Sequence, residues 1–297
     1  MTTHAVIPDL HADLDRLEAS LAAVPAGARV LFLGDFIDAA PEAPAPADKA
    51  VLARVRGLLD AGHAQAVMGN HELDAILFHT PDATGAPLLP DAEDHRRKHQ
   101  AFIDTFGMAT PEARRWTDWF LAALPLWREV GGLRLAHACW SAPDVALIRR
   151  RRPDGLLQAA DLAEIAQGST PFGRAVRTLV SGPKVRLPAC ATVRGTDGQE
   201  RETVQIAWWN AGAATWPEAV LDVPDPGQLP RGPLPPEVAA AIYDPAAPPV
   251  LVGHYKRPGA PRLAHPKASS LDYPHQPCLY LWSGEDRLRP DRLCPVA

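Results

Sequence analysis

The chain of 297 residues has only four cysteines, Cys139, Cys190, Cys278 and Cys294. Their spacing matches no zinc knuckle, and so few in so long a chain exclude a disulfide scaffold; reduced thiols in a cytoplasm are the simplest expectation. An excess of positive charge is also missing, because 30 lysines and arginines stand against 35 aspartates and glutamates, a formal charge of −5. That balance offers no general attraction to nucleic acid or to an anionic membrane, so an anionic substrate must be held by local cations or by metal. No apolar run approaches the roughly 18 residues of a membrane span. The start, Met1 to Ile7, lacks the basic and then apolar pattern of a signal peptide. The expectation is a soluble protein of the cytoplasm.

Proline is the excess, at 32 residues where average usage gives about 15. The prolines gather in 41–48, 217–248 and 257–266, which read as loops. The length suffices to bury a substantial core, and the expectation is one domain over 1–297 with a cap or insert over about 141–248.

Five short segments carry histidine, aspartate or asparagine: Asp9-Leu10-His11, Gly34-Asp35-Phe36-Ile37-Asp38, Gly69-Asn70-His71-Glu72, His137, and Gly253-His254. Each follows a strand-length run, Val6-Ile7, Val30 to Leu33, Ala66 to Met68, Leu133 to Ala136 and Val250 to Val252, and only the fourth run is interrupted, by Arg134. Near-continuous apolarity predicts strands covered on both faces, as in an α/β sheet; the interrupted run suits a strand nearer an edge. Amphipathic helices are predicted around Leu14 to Val24 and Val51 to Leu59, so the chain starts as a parallel sheet. A further helix begins at Thr110-Pro111, with threonine placed to cap, and 93–106 also reads as helical. Asp197-Gly198 punctuates a hairpin within 191–209, and 213–248 reads as a long irregular connection.

Oxygen and nitrogen donors delivered from several strand ends suit a site for two divalent ions. Asp35 can bridge two cations, Asn70 can ligate through its amide oxygen while His71 stays free to carry a proton, and His137 and His254 would supply imidazoles to a second ion. Asp38, three residues beyond Asp35, needs a separate role.

This ordered set resembles the calcineurin-like metallophosphoesterase superfamily, with its D-x-H, G-D-x-x-D, G-N-H-[ED], H and G-H pattern, over residues 5–256. The resemblance implies an α/β fold, a central β-sandwich flanked by helices in α-β-β-α layers. It implies Asp9, His11, Asp35 and His254 around one metal, and Asp35, Asn70 and His137 around the other. His71 would be the general acid and Asp38 its orienting carboxylate. The implied cofactor is a pair of divalent ions, Mn²⁺ first, with Fe, Zn, Co, Ni or Mg as alternatives, activating a bridging hydroxide for in-line attack on phosphorus.

Glu72 and the single histidine of Gly253-His254-Tyr255-Lys256 place the resemblance in the phosphoprotein-phosphatase branch that includes bacterial diadenosine tetraphosphatases. It extends to an uncharacterised bacterial group there. Ala39-Ala40 stands where that branch has Arg-Gly, so the bidentate phosphate clamp is missing. Pro8 and Ala12 also replace usual glycines around the first motif.

The expected activity is therefore metal-dependent phosphoric ester hydrolysis, chiefly of phosphomonoesters or phosphoproteins. Diadenosine polyphosphate or nucleotide pyrophosphohydrolysis is one alternative and a weakly catalytic phosphate-binding module another. Expected partners are a phosphorylated small molecule, a nucleotide or a phosphoprotein, with no membrane and no nucleic acid. Lys256, Tyr255 and Arg151 are the candidate substrate contacts. His95 and His99 read as a packed or solvated helix face, Arg149 to Arg152 as surface, and Trp208-Trp209 as core.

Overall fold

The computed structural model describes residues 2–39, 46–90, 92–188, 191–195, 198–221 and 223–296, apart from the Asp94 side chain. Ala40, Cys190 and Asp197 lie outside the described residues.

Strands β1 (His4–Ile7), β2 (Arg29–Phe32) and β3 (Ala64–Ala66) are parallel and linked by the helices Leu14–Ala22 and Asp48–Asp60. A capped helix, Pro111–Ala123, leads into the antiparallel pair β4 (Trp127–Val130) and β5 (Leu133–Ala136). Thr110 accepts from the Ala113 N–H at 3.2 Å and Pro111 fills the first turn, as predicted.

The next stretch carries helices Ala142–Arg151, Leu162–Gln167 and Pro171–Ser181, then β6 (Lys184–Arg186), β7 (Val193–Arg194), β8 (Glu200–Arg201), β9 (Thr203–Ile206) and β10 (Val220–Leu221). The chain closes with β11 (Val250–Val252), β12 (Ala268–Ser270), β13 (Cys278–Trp282) and β14 (Leu293–Pro295).

Beside the smaller sheets β10-β9-β6 and β7-β8, two larger sheets, of order β14-β13-β1-β2-β3 and β12-β11-β5-β4, form the core. Their facing sides share one apolar cluster: Val6 and Leu31, with Cys278, Tyr280 and Trp282, meet Leu133, Leu135 and Leu251. The alternate residues Ala5, Ile7, Val30 and Phe32 belong to a second cluster with helix residues such as Leu17, Val51 and Val55. β1 and β2 are thus buried on both faces, which explains their uninterrupted apolar runs. The layers are those of a helix-flanked β-sandwich.

Three local expectations are refined. Strand β5, expected nearer an edge, lies one strand in from the edge of its sheet, between β11 and β4. Arg134 is accommodated there by stacking 4.7 Å over Trp140 and donating to the Tyr243 hydroxyl at 3.0 Å. Segment 93–106 divides into helices Glu93–Lys98 and Gln100–Phe106 at His99, whose φ of −107° and ψ of 12° leave the helical region. Strands β7 and β8 form the small hairpin, but β9 pairs instead with β6 and β10.

Candidate metal centre

The motifs meet where parallel strands end. Asp9 and His11 follow β1, Asp35 follows β2, Asn70 and His71 open the helix Asn70–His79 after β3, and His137 and His254 follow β5 and β11. Ligands bind beyond the carboxyl ends of strands in open parallel sheets for this topological reason.

Tight backbone turns aim these side chains. Among the described residues, the non-glycine residues with positive φ are His11 (47°), Ala12 (55°), Asp35 (50°), Asp38 (64°), Ala109 (51°) and His254 (63°). Such strain persists only where the surroundings over-determine it, and it gathers at functional sites. Here Leu10 and His11 N–H groups both donate to the Asp35 carbonyl at 2.9 Å. The Glu72 carboxylate, fully buried, accepts from the N–H groups of Asp35 (2.9 Å), Phe36 (2.7 Å) and Gly69 (3.0 Å). The motif glycines are there for contact: a Cβ on Gly69 would clash with Asp35, and one on Gly253 with Asp9.

Donor atoms of His11, Asp35 and His71 lie within 4.8 Å of one another, as do those of Asp35, His137 and His254, so Asp35 is common to both groups. His137 Nε2 is 3.2 Å from Asp35 Oδ2 and 3.0 Å from Asn70 Oδ1, and His254 Nδ1 is 2.8 Å from Asn70 Oδ1. His11 Nε2 is 3.9 Å from Asp9 Oδ2. His137 is oriented by its other nitrogen, 2.7 Å from the Leu33 carbonyl, as metal-ligating imidazoles usually are.

His254 departs from the arrangement the resemblance implied. Only its backbone N–H reaches Asp9, at 2.9 and 3.1 Å, while its imidazole joins Asn70 and His137. The His254 backbone is left-handed, and its ring donor atom groups with those of Asp35 and His137. By distance, Asp35 stands with His11 on one side, where Asp9 approaches His11, and with Asn70, His137 and His254 on the other.

The electrostatics fit a cation site. Burial alone would raise Asp35, yet the His137 and His71 charges hold it well below the ordinary carboxylate range. Burial and then the neighbouring Asp272 charge push Asp9 well above that range. Burial opposes protonation of His137, but Asp35 overrides it and raises the imidazole to about 9. His254 and His11 are lowered to about 3 and about 4, first by burial and then by the neighbouring imidazoles His137 and His71. Two buried carboxylates whose ion-pair partners among the described residues are histidines form a site that added positive charge would relieve. Oxygen and imidazole donors suit Mn²⁺, Fe or Zn. Cys139, though adjacent, keeps a thiol pushed well up by burial and is no competing thiolate.

Beside this centre, His71 Nδ1 is 2.8 Å from Asp38 Oδ2, and its Nε2 is 4.0 Å from Asp35 Oδ2. Burial opposes the imidazolium, but Asp35 and Asp38 raise His71 to about 10. With Asp35 neutralised by a cation, a main raising charge would be removed.

A cavity of about 370 Å³ opens on the pair, lined by residues that include His11, His71, Ala39, Phe78, Leu89, Lys98 and Lys256. Tyr255 is not among the lining residues; its ring packs 5.0 Å from His254 and 4.5 Å from Trp209. Arg151 is elsewhere, paired with Asp161 (2.8 Å) and Glu164 (2.6 Å) and 4.3 Å over Phe172. Trp208 is core, donating to the Ala138 carbonyl at 2.9 Å beside His137.

Sequence reasoning did not find the Glu72 clamp, the Asp48 carboxylate that accepts from the Asp38 N–H at 3.0 Å, or His99, which reaches Asp38. Glu72 was visible only as part of its motif, and Asp48 carried no signal.

The pattern described as calcineurin-like phosphoesterase matches residues 3–186. A search of curated proteins finds no match. Among solved structures, the cold-active protein-tyrosine phosphatase of a psychrophilic Shewanella species is 14% identical with a TM-score of 0.55, over 100% of this chain and 81% of that one. A protein serine/threonine phosphatase from Saccharomyces cerevisiae with similarity to human phosphatase PP5 is 14% identical with a TM-score of 0.48, over 99% and 78%. At these identities the first likeness speaks for the fold alone, and the second carries no argument.

Proposed function

Because the chain belongs to the calcineurin-like phosphoesterase family, hydrolases of phosphoester bonds, we propose that it is a phosphomonoesterase of phosphoprotein-phosphatase type working with two divalent cations, Mn²⁺ foremost. The observation that carries this reading is the sharing of Asp35 between two donor groups with the His71–Asp38 pair alongside.

Asp9, His11 and Asp35 would hold one cation, and Asp35, Asn70, His137 and His254 the other. Bound there, the cations would supply Lewis-acid activation of water and neutralise phosphoryl charge. The remaining work belongs to side chains. His71, held by Asp38 through Nδ1, would protonate the departing oxygen from Nε2, a contribution of about 10²–10⁴-fold. Lys256 and Lys98, both on the cavity wall, would contact the phosphoryl oxygens that Ala39 leaves without a guanidinium. Tyr255 would serve by bracing the His254 ring rather than by touching substrate, and Arg151 by anchoring the insert of 141–248.

A second reading, hydrolysis of a nucleotide or diadenosine polyphosphate, is favoured by Leu89 and Phe78 in the cavity wall, which would suit a larger leaving group. The test is side-by-side assay of Mn²⁺-loaded protein on a phosphomonoester, a phosphodiester, a phosphopeptide and diadenosine tetraphosphate, with Asp35→Asn as control. The phosphomonoester or phosphopeptide should be turned over fastest. Equal rates for wild type and control on every substrate would leave a phosphate-binding module.

A further inference from the structure

The Asp38 carboxylate that holds His71 is itself held from behind. His99 Nδ1 lies 3.0 Å from Asp38 Oδ1 and 2.9 Å from Oδ2, His99 Nε2 lies 3.2 Å from His79 Nε2, and the Ala109 N–H donates to His79 Nδ1 at 3.1 Å. We propose that His99 and His79 are positioning residues for the general acid, forming with Asp38 a one-directional hydrogen-bond chain that fixes the His71 ring. The proposal rests on His71 acting as that acid.

The direction follows from the far end. A backbone N–H can only donate, so His79 Nδ1 accepts, and a neutral His79 must carry its proton on Nε2. That proton points at His99 Nε2, which must then be bare, leaving the His99 proton on Nδ1 facing Asp38. Asp38 accepts it and also accepts from His71 Nδ1, so the working nitrogen of His71 is Nε2. Every donor has one acceptor, and no alternative arrangement of neutral rings satisfies the chain.

The surroundings are built to keep it so. His79 and His99 are 3% and 5% exposed. Phe102 stacks on His99 at 4.8 Å with an 18° tilt, and Phe78 edges it at 5.7 Å. Burial lowers His79 to about 4, in keeping with its neutral state. The chain is also anchored at strained backbone, since Asp38 and Ala109 at its two ends both have positive φ. His99 and Asp38 both border the cavity, so the chain reaches the site itself, and a partner that fixes the ring orientation of a working imidazole affects function.

The experiment uses the full metal-loaded chain. His99→Phe preserves the stack on Phe102 and removes the donor to Asp38. It should lower kcat about tenfold on an alkyl phosphomonoester with KM held within about twofold, and have little effect on an aryl ester whose leaving group needs no proton. His99→Asn, whose amide can stand in for Nδ1, should recover most of the loss. In a His71→Asn background, His99→Phe should add no further loss.

Equal losses on both esters, or a full further loss in the His71→Asn background, would overturn the chain. An unchanged rate in His71→Asn alone would overturn the general-acid reading beneath it, and the proposal with it. An independent check needs no variant: two-bond ¹H–¹⁵N spectra of the zinc-loaded protein should show His99 protonated on Nδ1 alone and His79 on Nε2 alone. A doubly protonated His99 would overturn the proposal whatever the kinetics.

Discussion

Backbone strain and close approach decide which single residues matter here. Each left-handed non-glycine residue costs on the order of 1–3 kcal/mol, and His11, Asp35, Asp38 and His254 all bear that cost. The neighbouring glycines let it be borne, because Asp9 occupies the space a Cβ on Gly253 would need. We expect Gly253→Ala to fold yet to weaken Mn²⁺ binding about tenfold or more, since displacing Asp9 disturbs a ligand's support; titration calorimetry against wild type measures this. His79 gives a pH dependence with a definite sign. Its pKa is lowered from 6.5 to about 4, chiefly by burial, so the folded protein resists a proton that the unfolded chain accepts. That contribution is whole above about pH 6.5 and is lost as pH falls toward about 4. In chelator-treated protein, the fall in Tm between pH 7 and 5 should be steeper in wild type than in His79→Gln. His71 and Asp38 were readable because they occupy fixed places in a motif. His99 was not, because its four-residue spacing from His95 suggested one continuous helix, whereas the chain breaks at His99 and turns that ring inward.

Glu72 joins elements that are distant in sequence. Sitting in the first turn of helix Asn70–His79, it accepts two backbone N–H groups from the loop after β2 and one from Gly69. Both oxygens of a carboxylate are needed for three donors, and an amide has only one oxygen. Glu72→Gln should therefore cost about 3 kcal/mol, by the usual worth of buried hydrogen bonds to a charged group, and should reduce turnover by loosening Asp35 and His71 together. Denaturant unfolding with an unchanged midpoint would contradict this. Strand and helix placement was legible wherever one period dominated, as in β1, β2 and the helix opened by Thr110. It was coarser at β5, where Arg134 pointed to a strand nearer an edge but did not foretell its partners Trp140 and Tyr243. A local pattern reports a residue's polarity, not the distant partner that satisfies it.

Across the whole molecule the candidate site is a seam. Asp9, His11, Asp35 and Asn70 come from one sheet, His137 and His254 from the other, and Gly253 N–H to His137 O at 2.8 Å ties the two final turns together. Ions bound there would cross-link the sheets and bind the folded state alone. Removing metal with a chelator should lower Tm, and Mn²⁺ should restore it in a concentration-dependent way; Asp35→Asn should show little of either response. Among the described residues no helix is long and apolar enough to cross a membrane. The candidate donors, their order and their place after strands were legible in the linear chain, because ligand chemistry restricts residue type and apolar runs mark strands. How those donors divide between two groups, why Glu72 is buried, and that His99 stands behind Asp38 emerge once the chain is folded. Those depend on backbone dihedrals and on contacts between residues tens to hundreds of positions apart, which no local pattern encodes.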